Sequence, residues 1–308
     1  MFRALCYLSM ILATAGALAD QIEPLPAMPQ AGPPATAPSL ATPAVQLPGT
    51  RLLVGAEEEA WDWHFLPNSL IYHSYLAGAK EPRFASLWAN DKYEGWIWDI
   101  ALGGRVGLLR YGTSDQLVPQ GWQFDMEGAA TPRLDLEHDE DLVASDFRFG
   151  APLTYGSGAY QAKLAIYHLS SHVGDEYLLR NPTFDRINYS RNAIVWGNSV
   201  YCRDDTRLYA EAGWAFDKDV SKPWEFQFGV DYSPLRPGRA PFAALNAHLR
   251  EEVSYGGNLV VQAGLQWRPA ARWRLFRAGF EYFNGKSDQF EFFDRNEQKV
   301  GLGLWYDY

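Results

Sequence analysis

The chain is 308 residues long, with 15 % aromatic and 21 % charged residues and 12 Trp, yet its mean hydropathy is slightly negative at -0.28. That balance is too apolar for a disordered chain and too polar for a helical membrane protein. A net charge of -10 with no basic cluster excludes nucleic acid as a partner. Cys6 falls in the apolar leader, which leaves Cys202 alone downstream, so neither an intrachain disulfide nor a thiolate metal cluster is available.

The amino terminus reads as a secretory signal. Met1-Phe2-Arg3 carries one positive charge, an apolar segment runs to about Gly16, and Ala17-Leu18-Ala19 is an A-x-A cleavage site before Asp20. Residues 1–19 are therefore expected to be a signal peptide. Residues 20–50 hold eight of the 19 prolines, interleaved with Ala and Gln, and are expected to form an extended periplasmic linker that builds no core. Residues 51–82, with "WDWHFLPNSLIYHSYLAG", form a pre-barrel segment that either docks in the periplasm or plugs a lumen; its His64 and His73, set among aromatics, read as structural.

No run of 18 or more apolar residues follows the leader, so a spanning helix is not expected. Alternation takes its place. In "WQFDMEG" Trp122, Phe124 and Met126 alternate with Gln123, Asp125 and Glu127, and in "WEFQFGVDY" Trp224, Phe226, Phe228, Val230 and Tyr232 alternate with polar residues and glycine. A period of two with one fully apolar side marks strands having one greasy face and one polar face. The polar face carries Asp99, Arg105, Asp125, Glu127, Lys163, Arg207, Glu211, Glu225, Arg268, Arg277 and Glu281. Charges of both signs do not belong in a sandwich core, but they suit a filled barrel lumen. About twelve such segments follow one another, near 83–91, 96–109, 122–129, 142–153, 160–172, 188–200, 206–217, 224–233, 242–251, 258–268, 273–284 and 299–308. The expected fold is thus all-β, an antiparallel transmembrane β-barrel of about 12 strands over residues 83–308, located in the outer membrane of a Gram-negative cell.

The connections divide by length. "ATPRLDLEHDED", "VGDEYLLRNPTFDRI" and "GKSDQFEFFDRNEQ" are long and polar and follow odd strands; "TYGSG", "RDDT" and "RPAAR" are short and follow even ones. Long loops would then lie outside and short turns in the periplasm, with "YGTSDQLVPQG" longer than that rule predicts. An acidic run from Asp135 to Asp141 around His138 reads as a solvated loop, and Gly103-Gly104 as a bend or small-residue contact within a strand. The ending "KVGLGLWYDY" puts Val300, Leu302, Leu304, Tyr306 and Tyr308 on one face; it resembles the last strand of bacterial outer-membrane barrels, which implies the barrel-assembly machinery as a partner.

The densest polar stretch is "YHLSSHVGDEYLLRNPTFDRINYSRN". On the fifth strand His168, Ser170 and His172 share a parity with Leu164 and Ile166, whereas Lys163 is on the other side; on the next, Asn188, Ser190 and Asn192 share parity with Ile194 and Trp196. A Ser-His-Asn group is expected to face lipid near the outer end of the wall. Ser170 needs a base to act as a nucleophile, His168 two residues away can serve, and Asn192, or Asn188 in a different register, would hold the imidazole.

On His168-Leu169-Ser170, the loop after it and Ser190-Arg191-Asn192, the chain resembles outer membrane phospholipase A, although Ser171-His172 depart from that family's Asn-Gly after the serine. The resemblance implies a twelve-stranded barrel whose wall hydrolyses acyl esters of outer-membrane lipids. The oxyanion would need a stabiliser, either a loop backbone amide or a bound cation, Ca²⁺, near Asp175, Glu176 and Asp185; a second copy of the chain as partner is a further expectation. The remainder, including "FLPNSLIYHSYLAG", looks like an uncharacterised family of outer-membrane proteins, which implies location without activity. Two functions of different class follow: a lipid acyl hydrolase, or a non-enzymatic barrel serving as narrow pore, anchor or envelope contact.

Overall fold

The computed structural model describes residues 59–270 and 273–308. The expected signal peptide and linker, and the start of the pre-barrel segment, lie outside the described residues. Within them the alternating segments become β2 (Phe84–Asp91), β3 (Gly95–Gly112), β4 (Gly121–Asp135), β5 (Asp141–Ser157), β6 (Tyr160–Val173), β7 (Ser190–Arg203), β8 (Thr206–Lys218), β9 (Trp224–Tyr232), β10 (Gly238–Arg250), β11 (Gly257–Arg268), β12 (Leu275–Lys286) and β13 (Asn296–Asp307). Each pairs antiparallel with the next, and β13 pairs with β2, Leu302 opposite Trp88. The sheet is therefore a closed barrel of 12 strands with no free edge. A short β1 (Asp62–Phe65) pairs with the end of β3, Phe65 opposite Leu109, covering an edge that the shorter β2 leaves open.

The alternation sorts as the sequence predicts. Outward residues are large and apolar all round the wall, among them Phe124, Phe149, Ile166, Trp196, Trp214, Phe228, Leu265 and Leu302. Inward residues are charged and paired: Arg105 with Glu127, Lys163 with Glu211 at 2.6 Å, Arg207 with Asp231 at 2.6 Å, Arg277 with Asp307 at 2.7 Å. Buried charges persist only when paired in this way.

Residues 66–83 occupy the interior. The chain turns in at Leu66, with φ 47°, and Pro67 lies over Gly107, where a β-carbon would stand 2.8 Å from its ring. Ser69 accepts Arg110 at 2.6 Å, the Tyr72 carbonyl accepts Arg105 at 2.8 Å, and Tyr75 donates to Glu211 at 2.8 Å and stacks on Tyr209. His73, fully buried, stacks on Trp273 at 3.5 Å. Lys80 reaches Asp146 at 2.7 Å, and the chain then returns to Arg83, which binds the Leu76 carbonyl and Asp307 before β2 begins. Residues 66–83 are a plug held by wall side chains. The long turn at 113–120 fits this: the Ser69 hydroxyl donates to the Asp115 carbonyl, and Leu117 and Val118 pack on Tyr201, Leu235 and Trp273.

Two boundaries differ from expectation. Most of "ATPRLDLEHDED" is not a loop: β4 continues to Asp135 because Thr131 and Arg133 point inward, Arg133 to Asp99, Asp288 and Glu297 at 2.6–2.8 Å. The sixth predicted strand begins at Ser190 rather than 188, since Asn188 has φ 49° and its left-handed backbone breaks the ladder. At the same end of the barrel, 287–295 folds inward, burying Phe290 and Phe292. Burial would raise the Asp288 carboxyl, but Lys299 and Arg133 outweigh it and hold the group well below the usual carboxylate range.

Candidate functional site

The strand register of β6, β7 and β8 draws three outward polar side chains into one row. His168 stands opposite Asn192, and its Nδ1 meets Asn192 Oδ1 at 2.9 Å. Asn192 stands opposite Asp217, and its Nδ2 donates to Asp217 Oδ2 at 2.9 Å. Ser170 lies two residues from His168 on the same face, about 7 Å along the strand, and opposite Ser190. Ser171 points the other way, bonded to Asp146 and accepting the Glu291 amide at 2.9 Å inside the barrel.

The row lies at the rim of the apolar belt. Ile166 is 54 % exposed on the wall beside Ile194, Trp196 and Trp214, while the loop of α1 (Asp175–Arg180) starts one turn beyond. Behind the row Ala165, Tyr167, Leu169, Ala193, Val195, Ala215 and Phe290 pack together beside the buried Arg191–Glu225 pair. This backing fixes the two strands under His168 and Asn192. Across the mouth, Glu291 accepts the amides of Ile187, Asn188 and Tyr189 and so anchors the connection that leads into β7.

The expected residues separate clearly. His168 and Asn192 are brought into hydrogen-bond contact, whereas Ser170 shares their outward face but makes no hydrogen bond to either among the described residues. Asn188 is not part of the row: it sits in the loop with its Oδ1 bonded to Arg186 at 3.0 Å. Asp175 and Glu176 open α1 and Asp185 lies in the loop after it, all exposed. No group of three or more His, Cys, Asp or Glu able to hold a metal ion occurs among the described residues, and Asp175, Glu176 and Asp185 do not form one. Asp217 was not legible beforehand. From Ala193↔Ala215 a regular ladder would set Phe216 against Asn192; a β-bulge shifts the register so that Asp217 takes that place.

A closed, antiparallel barrel of 12 strands, apolar outside and charged inside, defines a barrel of the outer-membrane type. The chain belongs to the family described as "Protein of unknown function (DUF1207)", which matches residues 35–308. No curated protein matches it. Similar solved structures include outer membrane phospholipase A from Escherichia coli, at 10 % identity over 77 % of this chain and 95 % of that one, TM-score 0.49. The outer membrane phospholipase dimer with bound calcium from Salmonella typhi is similar at 8 % identity over 73 % and 90 %, TM-score 0.49, and the KdgM porin at 10 % identity over 73 % and 99 %, TM-score 0.40.

Proposed function

We propose that the barrel sits in a bacterial outer membrane and hydrolyses acyl esters of membrane lipids on its wall. The observation that carries this reading is the His168–Asn192 hydrogen bond on the same outward face as Ser170, at the edge of the apolar belt. With Nδ1–H donated to Asn192, Nε2 is the free base. It takes the Ser170 proton as Oγ attacks the ester carbonyl, and the imidazolium returns that proton to the departing alkoxide. Water then attacks the acyl-serine with the same histidine as base, releasing a fatty acid and restoring Ser170. The apolar wall beside Ile166 and Trp196 gives an acyl chain a surface to lie along, with its ester at the height of the row.

A second reading, a non-enzymatic envelope barrel, is favoured by one observation. The Ser171 amide donates to the Tyr189 carbonyl at 2.9 Å, and Ser170 to Val173 stay paired with β5, so the strand itself offers no free donor for an oxyanion. Such donors would have to come from 174–189. The two readings separate in mixed micelles containing labelled phospholipid, with and without calcium. The first expects fatty-acid release that Ser170→Ala removes; no release under either condition leaves the second.

A further inference from the structure

We infer that Asp217 is a positioning residue: through the Asn192 amide it selects the histidine tautomer that leaves Nε2 unprotonated and free to accept a proton. The inference rests on the hydrolase reading for its purpose, but its geometry stands apart from it. An ionised carboxylate only accepts hydrogen bonds, so an amide bonded to it must present its NH₂. Asn192 has two neighbours, Asp217 at 2.9 Å and His168 at 2.9 Å. With Nδ2 committed to Asp217, Oδ1 is left for the imidazole, and an oxygen that only accepts requires Nδ1–H there. The amide therefore cannot flip to present its NH₂ to the ring without losing its bond to the carboxylate. Without Asp217, both orientations of Asn192 satisfy His168, one with each tautomer, and in one of them Nε2 carries the proton and cannot accept another from Ser170.

The bulge in β8 is the second, independent sign. Its register shift places Asp217 rather than the apolar Phe216 across from Asn192, and bulges re-aim side chains in this way beside active sites. Asp217 and Lys218 are both exposed, so the substitution of Asp217 removes no buried group.

The test uses the full barrel in micelles with ¹⁵N-labelled histidine, the His168 ring signals being identified by their loss in His168→Ala. Wild type is expected to show protonated Nδ1 and unprotonated Nε2 at neutral pH. Asp217→Ala and Asp217→Asn, whose amide can donate as well as accept, are expected to give a mixture of tautomers, and Asp217→Glu, which keeps an acceptor-only carboxylate, to restore the single form. In the lipid assay kcat should fall about tenfold in Asp217→Ala, with KM unchanged and Asp217→Glu close to wild type. Tautomer loss in Asp217→Ala and rescue in Asp217→Glu support the inference even if no lipid is hydrolysed, in which case the hydrolase reading alone fails. An unchanged tautomer in Asp217→Ala, or Nε2–H in wild type, overturns it.

Discussion

Ser170 and Ser171 are adjacent and chemically identical, and only strand parity tells them apart. The first lies outward with His168, and the second is buried against Asp146 and the Glu291 amide. Substitutions should therefore diverge. Ser170→Ala and His168→Ala should each lower hydrolysis by about 10³-fold or more while leaving heat-modifiable gel mobility intact, and the double variant should be no worse than either, because members of one nucleophilic unit fail together. Ser171→Ala should leave turnover alone and cost about 1–3 kcal/mol of stability, since it strips partners from a buried carboxylate and a buried amide. Additive losses from the first pair, or loss of turnover from Ser171→Ala, would count against the assignment. The placement of His168, Ser170 and Asn192 was legible because a period of two needs only their neighbours Leu164, Ile166, Ile194 and Trp196. Asp217 was not, because a bulge is an extra residue and parity counted from Trp214 sends it to the wrong face. Asn188 failed for the related reason that its left-handed φ ends the strand before it.

At the scale of elements, apolar alternation located all twelve barrel strands but misjudged where they end. β4 reads as a loop beyond Ala129 because Thr131, Arg133 and Asp135 look like loop chemistry. They are lumen residues whose partners come from distant strands, with Arg133 meeting Glu297 and Asp288 across more than 150 positions. That cluster makes the end of the barrel sensitive to acid. The Asp288 carboxyl is depressed in the folded state by Lys299 and Arg133, so its contribution to stability is complete above its unfolded value of about 3.9 and is lost as pH falls through the lower folded value. The unfolding temperature in detergent should hardly respond to this group between pH 8 and pH 5 and should fall below about pH 4. Asp288→Asn should show a shallower acid decline than wild type. An identical acid profile in that variant would mean the Arg133–Lys299 cluster does not draw on Asp288.

Among the described residues the barrel is filled rather than an open tube. Sequence could say that the lumen is charged, and it left open whether 51–82 docks outside or enters; the contacts that place 66–82 inside, Arg105 with the Tyr72 carbonyl and Arg110 with the Ser69 carbonyl, join segments about 30–40 residues apart and leave no periodic trace. Cavities beside Lys80 measure about 30 Å³ and about 50 Å³, room for a water or two rather than a solute path. In planar bilayers the intact barrel should therefore show no steady conductance, and a variant lacking residues 67–80 that keeps its heat-modifiable mobility should conduct. Steady conductance from the intact protein would contradict the plug.

Covalent trapping shows whether a nucleophile faces lipid on the wall. The refolded barrel in micelles is treated with a long-chain alkylsulfonyl fluoride, digested and mapped by mass spectrometry. The account predicts one adduct, on Ser170, abolished by His168→Ala and unaffected by Ser171→Ala. No adduct on Ser170, or labelling of it that persists undiminished in His168→Ala, would contradict it.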